Sequence, residues 1–278
     1  MTEAVTVGGP QETAGHSPTP AGDDGAPVRL EGVSQWFGND PNPLVLDDIT
    51  LDIEAGEFVS IVGPSGCGKS TLLGLVAGFD TPRQGRVLID GSPVKGPAPD
   101  RGMVFQQPRL FSWMRVLDNV SFGPRVQGMS AQQANDIAVR TLELVGLSGE
   151  QRKWPHELSG GMQQRVAIAR ALAAGPDVLL MDEPFAALDA LTRERLQDEV
   201  LDIWRRRGIT VLFVTHSVDE AAYLSTRIIA LDRNPGRVCF DEKAGLGAVP
   251  DRAGLRSTPA FLSIRDRLHD VVVRAAGG

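Results

Sequence analysis

The segment Gly63-Pro64-Ser65-Gly66-Cys67-Gly68-Lys69-Ser70-Thr71 restricts the fold of this chain more than any other feature. It fits the pattern G-x-x-x-x-G-K-[ST] and lies between an apolar run, Glu57–Val62, and a helical pattern that begins at Lys69. Glycines let backbone N–H groups curl around phosphates, and a helix start adds partial positive charge. Lys69 could reach the β- and γ-phosphates, and the Ser70 hydroxyl could ligate Mg²⁺. The segment predicts a phosphate loop that binds a nucleotide, and a glycine-rich turn with an exposed lysine is the plain alternative.

A second apolar run, Val178–Met181, ends in two acidic residues, Asp182 and Glu183. A strand buried on both faces delivers its C-terminal residues to the ligand crevice of an open α/β sheet. We therefore expect Asp182 to hold the magnesium ion and Glu183 to polarise the attacking water. Two solvated acids capping a strand are the alternative, and the phosphate loop upstream favours the functional interpretation.

Apolar runs alternate with helical patterns along most of the chain, which is typical of a mostly parallel sheet covered on both faces. The predicted fold class is therefore α/β. Further strands are predicted at Val28–Val33, Leu44–Ile53, Gly85–Ile89, Gly102–Phe105, Thr210–Val214 and Arg227–Leu231. Helices are predicted at Lys69–Gly78, Ala131–Val145, Gly160–Ala174, Leu191–Arg207, Val218–Leu224 and Pro259–Val273.

Charge and composition limit the function classes. The net charge of −7 provides no basic surface for nucleic acid, so we expect no nucleic-acid partner. Apolar runs such as Val211–Val214 are far shorter than the ~20 residues of a membrane span, so a soluble protein is expected. Cys67 and Cys239 are too few for a disulfide framework, which favours a reducing cytosol.

Residues 1–27 are rich in glycine, proline and small polar residues. They lack the positive start and the continuous apolar segment of a signal peptide. This composition predicts a disordered N-terminal tail.

A third motif, Leu158-Ser159-Gly160-Gly161-Met162-Gln163-Gln164-Arg165, precedes a predicted helix. Ser159 is a good N-cap, and the two glycines leave backbone amides uncovered at the helix start. The motif therefore predicts a second anion site, with an ordinary capped helix as the plain alternative.

That string resembles the signature motif of ABC ATPases, and the remaining motifs of that family follow in order. Gln106 resembles the Q-loop glutamine, Asp189 in Ala187-Leu188-Asp189 the D-loop aspartate, and His216 in Val214-Thr215-His216 the switch histidine. Phe37 lies where an aromatic side chain usually stacks on adenine, and the adjacent Trp36 is the alternative. The resemblance covers roughly residues 28–240.

The resemblance implies a P-loop ATPase core with an antiparallel β subdomain and a helical subdomain near residues 107–165. The ATPase domain would span 28–241, and 242–278 would form a short C-terminal extension with one helix. Glu183, His216 and Gln106 would be catalytic, and Ser70, Gln106 and Asp182 would hold Mg²⁺. The family works as head-to-tail dimers, in which ATP lies between one phosphate loop and Ser159-Gly160-Gly161 of the second copy. Nucleotide contacts would come from Phe37, Asp189, Ser159, Gly160, Gly161 and the phosphate-loop residues Gly63, Pro64, Ser65, Gly66, Cys67, Gly68, Lys69, Ser70 and Thr71.

Finer features resemble the nitrate/sulfonate/taurine importer group: Leu110-Phe111-Ser112-Trp113, the string Asp182–Arg193 and Pro235-Gly236-Arg237. Ser112 and Ala186 depart from the residues usual in that group. This resemblance implies two transmembrane permease subunits, a periplasmic or lipid-anchored solute-binding protein, and a peripheral location on the cytoplasmic face of the membrane. Phe111 and Trp113 are interpreted either as core residues or as a socket for a helix of the membrane partner.

Two other function classes stay open, a nucleotide-gated regulator or adaptor and a monomeric small-molecule kinase. The signature motif argues against the kinase. Cys67 lies next to a helix N-terminus, so we expect its thiol to have some thiolate character. Alkylation of Cys67 should then block ATP binding, and bound ATP should protect the thiol. An unreactive loop cysteine is the alternative.

Overall fold

The computed structural model describes residues 25–38, 40, 42–233, 235–249, 252 and 254–277. Most of the predicted N-terminal tail, residues 1–24, lies outside the described residues. The last part of the predicted tail differs from the expectation. The Gly25 N–H donates to Gly208 O at 2.8 Å, and Thr210 Oγ1 donates to Ala26 O at 2.7 Å. These contacts place residues 25–27 in the folded part of the chain, so the predicted boundary at residue 27 is wrong by a few residues.

Strands and helices alternate along the described chain, as the apolar pattern predicts. The strands are β1 Val28–Gln35, β2 Leu46–Ile53, β3 Phe58–Val62, β4 Gln84–Ile89, β5 Ser92–Pro93, β6 Arg101–Val104, β7 Val178–Asp182, β8 Thr210–Val214, β9 Arg227–Leu231 and β10 Val238–Lys243. The α-helices are α1 Lys69–Ala77, α2 Val116–Val126, α3 Ala131–Leu144, α4 Gly160–Ala173, α5 Ala190–Arg207, α6 Val218–Leu224 and α7 Pro259–Gly277. Two single turns of 3₁₀ helix lie at Pro155–Glu157 and Leu255–Ser257.

A sheet with the order β10-β9-β3-β8-β7-β6 forms the centre of the described structure. Adjacent strands of this sheet pair in parallel, except that β10 runs antiparallel to β9. Every residue of β3 and β8 is buried, as expected of strands covered on both faces. In this order β8 lies between β3 and β7, so the C-terminal ends of these strands are adjacent. The sheet confirms the predicted α/β class.

A second, antiparallel sheet has the order β2-β1-β4-β5. Along β2, residues alternate between buried and outward-facing positions, and Ile49, Leu51 and Ile53 are buried. This alternation is typical of a sheet with one face on the core. The inner face shares a hydrophobic cluster with Leu72 and Leu75 of α1. The expected antiparallel subdomain is therefore present beside the phosphate loop.

Helices α2, α3 and α4 pack on one another through buried apolar residues that include Val120, Leu142 and Val166. The sequence pattern did not predict α2, because Gly123 and Pro124 interrupt it. The structure accommodates them, since Gly123 lies against Ala174, where an added Cβ would come within 3.2 Å of the alanine Cβ. Helix α3 begins with a capping box between Ser130 and Gln133. Tertiary packing thus outweighs the poor helix propensity of α2.

The C-terminal helix α7 covers one edge of the central sheet. Its Leu268 is buried in a cluster with Ala221 of α6 and with Ile228 and Ala230 of β9. None of the helices in the described part of the chain is both long and apolar enough to cross a membrane.

Candidate nucleotide site

The phosphate loop follows β3 directly, and two of its glycines are required by close packing. Gly63 has a φ of 149°, and a Cβ there would lie 2.5 Å from Leu231 O. Gly68 has a φ of 94°, and a Cβ there would lie 2.6 Å from Leu46 Cδ2. Both positions combine a left-handed backbone with a neighbour too close for any side chain. The loop is therefore held between β9 and the antiparallel sheet.

Lys69 begins α1 and is only 7% exposed. Its ammonium group donates to Gly63 O at 2.9 Å and to Pro64 O at 3.1 Å. These hydrogen bonds keep a nearly buried charge satisfied within the loop itself. A cation held beside uncovered backbone amides is a suitable receptor for phosphate groups.

Ser70 and Asp182 meet at the ends of α1 and β7. The Ser70 hydroxyl donates to Asp182 Oδ1 at 3.1 Å. Burial raises the pKa of the Asp182 carboxyl, the hydrogen bond from Ser70 opposes this, and the charge of Glu183 adds to it. Hydroxyl and carboxylate oxygens are donors that suit Mg²⁺, which usually takes few protein ligands and completes its shell with water and phosphate. The oxygens of Ser70 and Asp182 are therefore suitable ligands for the expected magnesium ion.

Glu183 and His216 meet at the ends of β7 and β8. The Nδ1 atom of His216 lies 3.2 Å from Glu183 Oε2. Glu183 has a φ of 46°, an uncommon conformation for a residue that is not glycine, and its N–H donates to Val214 O at 2.9 Å. Strained backbone of this kind persists where the surrounding structure fixes it, and it often marks functional sites. The bond to β8 thus fixes the main chain of Glu183 beside the end of β8, where His216 follows.

Gln106 is exposed and follows β6, the strand next to β7. Within the described part of the chain, no hydrogen bond joins the Gln106 side chain to another candidate residue. The residue before Gln106 is linked to α4, because Gln164 Nε2 of α4 donates to Phe105 O at 3.3 Å. The structure thus puts the main chain next to Gln106 in contact with α4.

Ser159, Gly160 and Gly161 form the start of α4. The Ser159 hydroxyl accepts from the Met162 N–H at 3.3 Å, as the N-cap prediction requires. Ser159 and Gly160 are exposed, and no hydrogen bond in the described chain ties this segment to the phosphate loop. A Cβ on Gly161 would lie 2.7 Å from Thr192 Cγ2 of α5. Within one chain, the two predicted anion sites are therefore separate features.

Asp189 caps α5, and its Oδ1 accepts from the Thr192 N–H at 3.0 Å. Hydrogen bonds from Thr192 lower the pKa of this carboxyl. Its side chain therefore has a helix-capping role that needs no nucleotide.

Phe37 and Trp36 differ in how freely their rings are available. The Phe37 side chain is 59% exposed. Trp36 is half-buried, and the Arg83 guanidinium lies 5.9 Å from its ring centroid. An exposed ring that carries no partner is the better candidate to stack on a planar base, which favours Phe37.

Cys67 does not have the expected thiolate character. Its side chain is buried, and burial raises the pKa of the thiol, with Lys69 opposing the shift. The helix N-terminus next to Cys67 therefore does not compensate for the loss of solvation. The expectation of a reactive thiol at this position is wrong, because it considered the helix and not the packing of Cys67 behind the loop.

Several supporting residues were missed by the sequence analysis. Gly236 lies against the back of the phosphate loop: a Cβ there would come within 2.1 Å of Cys67 O, and its N–H donates to Val45 O at 3.0 Å. Arg170 of α4 donates to Arg109 O at 2.7 Å and to Pro108 O at 3.0 Å, just after Gln106. Pro235-Gly236-Arg237 was noted only for its resemblance to the importer group, and nothing in the sequence indicated the role of Arg170.

Phe111, Trp113 and Phe122 form an aromatic patch on the surface of the helical region. The ring centroids of Phe111 and Trp113 are 5.4 Å apart, and those of Phe111 and Phe122 are 4.9 Å apart. Trp113 is 70% exposed, and Arg170 lies over the Phe111 ring at 5.3 Å. The core interpretation is therefore wrong for Trp113, whose ring is available to a partner.

Comparisons with known proteins agree with this geometry. A family model described as "ABC transporter" matches residues 46–186. An uncharacterised ABC transporter ATP-binding protein of Methanocaldococcus jannaschii is 47% identical over 246 residues, which cover 88% of this chain and 91% of the relative. The taurine import ATP-binding protein TauB of a Jannaschia species is 48% identical over 246 residues, with 87% and 92% covered.

A solved structure of similar fold is a dimeric ATP-binding cassette in a post-hydrolysis state, bound to ADP and Pi. The two chains are 35% identical, with a TM-score of 0.68 and coverage of 78% of this chain and 98% of that one. The motif order, the central sheet and these matches agree. The chain therefore belongs to the ABC transporter family, as an ATP-binding subunit that hydrolyses ATP.

Proposed function

We propose that this chain powers an importer for a small anion or organic compound of the taurine, sulfonate or nitrate type. It would act as a peripheral subunit on the cytoplasmic face of the membrane, with separate permease subunits and a solute-binding protein. The observation that carries the ATP-hydrolysing part of the proposal is the convergence of two pairs at adjacent strand ends: Ser70 with Asp182 at 3.1 Å, and Glu183 with His216 at 3.2 Å.

Each side chain has a proposed role in ATP hydrolysis. The phosphate-loop amides and Lys69 would bind the phosphates, and Phe37 would stack on the adenine. Ser70, Gln106 and Asp182 would hold Mg²⁺, which neutralises negative charge on the phosphates when it is bound. Glu183 would accept a hydrogen bond from the attacking water and orient it, and His216 would hold the Glu183 carboxylate in position.

A head-to-tail dimer would complete the site. The N-terminus of α4 has uncovered amides and an exposed Ser159 and Gly160, yet these residues make no hydrogen bond to the phosphate loop of the same chain. A helix N-terminus of this kind suits an anion, and the γ-phosphate bound to a second copy would supply one. ATP would then close the dimer and hydrolysis would release it. ATP can drive this motion only if it binds the closed dimer more tightly than the open one.

The importer assignment rests on two further observations. TauB of Jannaschia is a taurine import ATP-binding protein, and its match covers 87% of this chain. The aromatic patch, with Trp113 70% exposed, is a suitable contact surface for a short helix of a membrane partner. It lies in the region 107–165, which we propose as the helical subdomain that contacts the permease.

The test is to purify the full chain from its host in mild detergent and to identify the proteins that remain bound. We expect two permease subunits. The ATPase rate of the complex should rise when the solute-binding protein and its ligand are added. Taurine, an alkanesulfonate and nitrate would be compared at equal concentrations, and the ligand that stimulates ATPase activity identifies the transported compound.

The same preparation carrying Lys69→Ala serves as the control, because it should keep the permease subunits and lose ATP turnover. Soluble proteins or nucleic acid in place of permease subunits would contradict the importer assignment and favour a nucleotide-gated regulator. Stimulation by none of these ligands would contradict the proposed substrate class alone.

A further inference from the structure

Glu220 of α6 is a nearly buried carboxylate that the proposed mechanism does not use. The residue is only 7% exposed, and three polar side chains surround its carboxylate. Thr215 Oγ1 donates to Glu220 Oε2 at 2.6 Å, and Gln197 Nε2 donates to Glu220 Oε1 at 3.3 Å. Arg193 Nε lies 3.8 Å from the same Oε1. A buried carboxylate is costly unless its partners are well placed, so this cluster depends on all of its members.

The first of these partners leads to the switch histidine. Thr215 is the residue before His216 and follows β8 directly. Its hydroxyl accepts from the Ser217 N–H at 3.0 Å while it donates to Glu220. The main chain on both sides of His216 is therefore fixed to the Glu220 carboxylate.

Arg193 leads to the D-loop. Its Nη2 donates to Leu188 O at 2.8 Å, the carbonyl just before Asp189. Within the described chain the buried Nε of Arg193 makes no hydrogen bond, so the Glu220 carboxylate is its counter-charge at 3.8 Å. The position of the D-loop thus depends on the same carboxylate as that of the switch histidine.

Gln197 leads to the C-terminal extension. Its Oε1 accepts from Arg256 Nη2 at 2.8 Å, while its Nε2 donates to Glu220. Because a carboxylate only accepts and a guanidinium only donates, these two partners fix the orientation of the Gln197 amide. Arg256 also lies 3.9 Å above the Tyr223 ring of α6, with Arg252 at 3.8 Å. The extension is therefore joined to the cluster by a defined chain of hydrogen bonds.

We propose that Glu220 is a positioning residue for ATP hydrolysis, which sets His216 and the D-loop together, and that Arg256 connects the C-terminal extension to it. The proposal rests on the proposed function, because it assigns His216 a part in turnover. In the described structure Glu220 makes no hydrogen bond or ion pair with the phosphate loop. Its loss should therefore slow turnover and leave ATP affinity intact.

The test compares Glu220→Gln, Gln197→Glu and the double variant in the full chain. Glu220→Gln removes the counter-charge of Arg193 and leaves a neutral amide, whose one oxygen cannot replace both carboxylate oxygens that accept from Thr215 and Gln197. We expect kcat to fall about tenfold, since hydrogen bonds to charged groups are among the stronger ones. The Kd for ATP should stay within about twofold, because the groups that bind phosphate are unchanged.

The double variant exchanges the carboxylate and the amide between positions 220 and 197, so that each donor again faces an acceptor. The amide introduced at position 220 would accept from Thr215 and donate to the carboxylate introduced at position 197, which still accepts from Arg256. We expect the double variant to recover most of the lost kcat, a result that a merely destabilised protein would not give. Arg256→Gln should lower kcat roughly threefold, with Arg267→Gln as its control, because Arg267 of α7 pairs with Glu242 away from the cluster.

A Glu220→Gln chain that turns over ATP normally would overturn the proposal. So would a loss of kcat accompanied by an equal loss of ATP affinity and not recovered in the double variant. If the double variant fails to fold, the Arg256→Gln variant tests the link to the C-terminal extension. A kcat equal to that of the wild type in Arg256→Gln would overturn that link. The Glu183→Gln chain separates the two levels: if it turns over ATP normally, the proposed function fails, whereas normal turnover in Glu220→Gln alone refutes only this inference.

Discussion

The imidazole of His216 lies against the carboxylate of Glu183, with Nδ1 and Oε2 at 3.2 Å. The two residues follow β8 and β7, and the parallel pairing of Asp182 with Val214 sets these strand ends level. The bond from the Glu183 N–H to Val214 O also joins the main chain that follows β7 to the end of β8. Two residues from separate parts of the sequence therefore form one local unit, and several expected outcomes depend on it.

Glu183→Gln should still bind ATP and should almost cease to hydrolyse it. The amide has nearly the same shape as the carboxylate but cannot act as a base toward water. We expect kcat to fall by at least about a hundredfold, as is typical when a general base is removed. The ATP-bound chain should accumulate as a dimer, measured by size-exclusion chromatography with light scattering.

Glu194→Gln is the matched control for that variant, because Glu194 is an exposed residue of α5. It should show wild-type turnover and no trapped dimer. Normal turnover in Glu183→Gln would remove Glu183 from the mechanism.

Gly236→Ala should weaken ATP binding and destabilise the fold. The φ at this position is open to alanine, so the effect comes from space alone, with the new Cβ 2.1 Å from Cys67 O. Overpacking of this kind typically costs about 1–3 kcal/mol. Titration calorimetry with ATP and thermal melting would measure both effects.

The matched control is Gly96→Ala, since a Cβ on Gly96 has no neighbour within 4 Å. It should bind ATP and melt like the wild type. Unchanged ATP affinity in Gly236→Ala would show that the β9–β10 turn does not support the phosphate loop.

Trp113→Ala should separate partner binding from catalysis. Its ring is 70% exposed and lies against Phe111, and among the described residues no hydrogen bond or aromatic pair joins its side chain to a candidate site residue. We expect the isolated chain to keep its ATPase rate and to lose co-purification with permease subunits, because truncating a central interface aromatic typically costs about 2 kcal/mol or more. Val273→Ala, at an exposed position on α7, should keep the permease subunits bound.

Thiol labelling should distinguish the two cysteines. Cys239 is exposed and Cys67 is buried, so a thiol reagent should modify Cys239 first. In Cys239→Ser, labelling of Cys67 should be much slower than that of glutathione at neutral pH. Because the pKa of Cys67 is raised, its reactive thiolate is scarcer at pH 7 than that of a free thiol, and labelling should accelerate only as the pH becomes alkaline. Fast labelling of Cys67 at pH 7 would contradict its burial behind the loop.

The candidate site was predictable to the extent that it consists of contiguous motifs. Residues 63–71 carry a pattern whose glycines and lysine reflect a local requirement of the backbone around phosphates. The strand Val178–Asp182 and the helices that start at Lys69 and Gly160 follow from apolar runs and caps, and the structure places them within a residue of the expected bounds. By contrast, α2 was missed, since Gly123 and Pro124 interrupt its sequence, and the close approach of Gly123 to Ala174 depends on tertiary packing.

The sequence by itself determined the α/β class, the phosphate loop and the family, because each depends on short contiguous segments and on their order along the chain. Only the tertiary structure decided that Cys67 is buried, that Gly236 supports the loop, and that Glu220 joins His216 to Arg256. The physical reason is that burial and hydrogen bonding depend on neighbours from distant segments. Such neighbours leave no periodic pattern in the sequence.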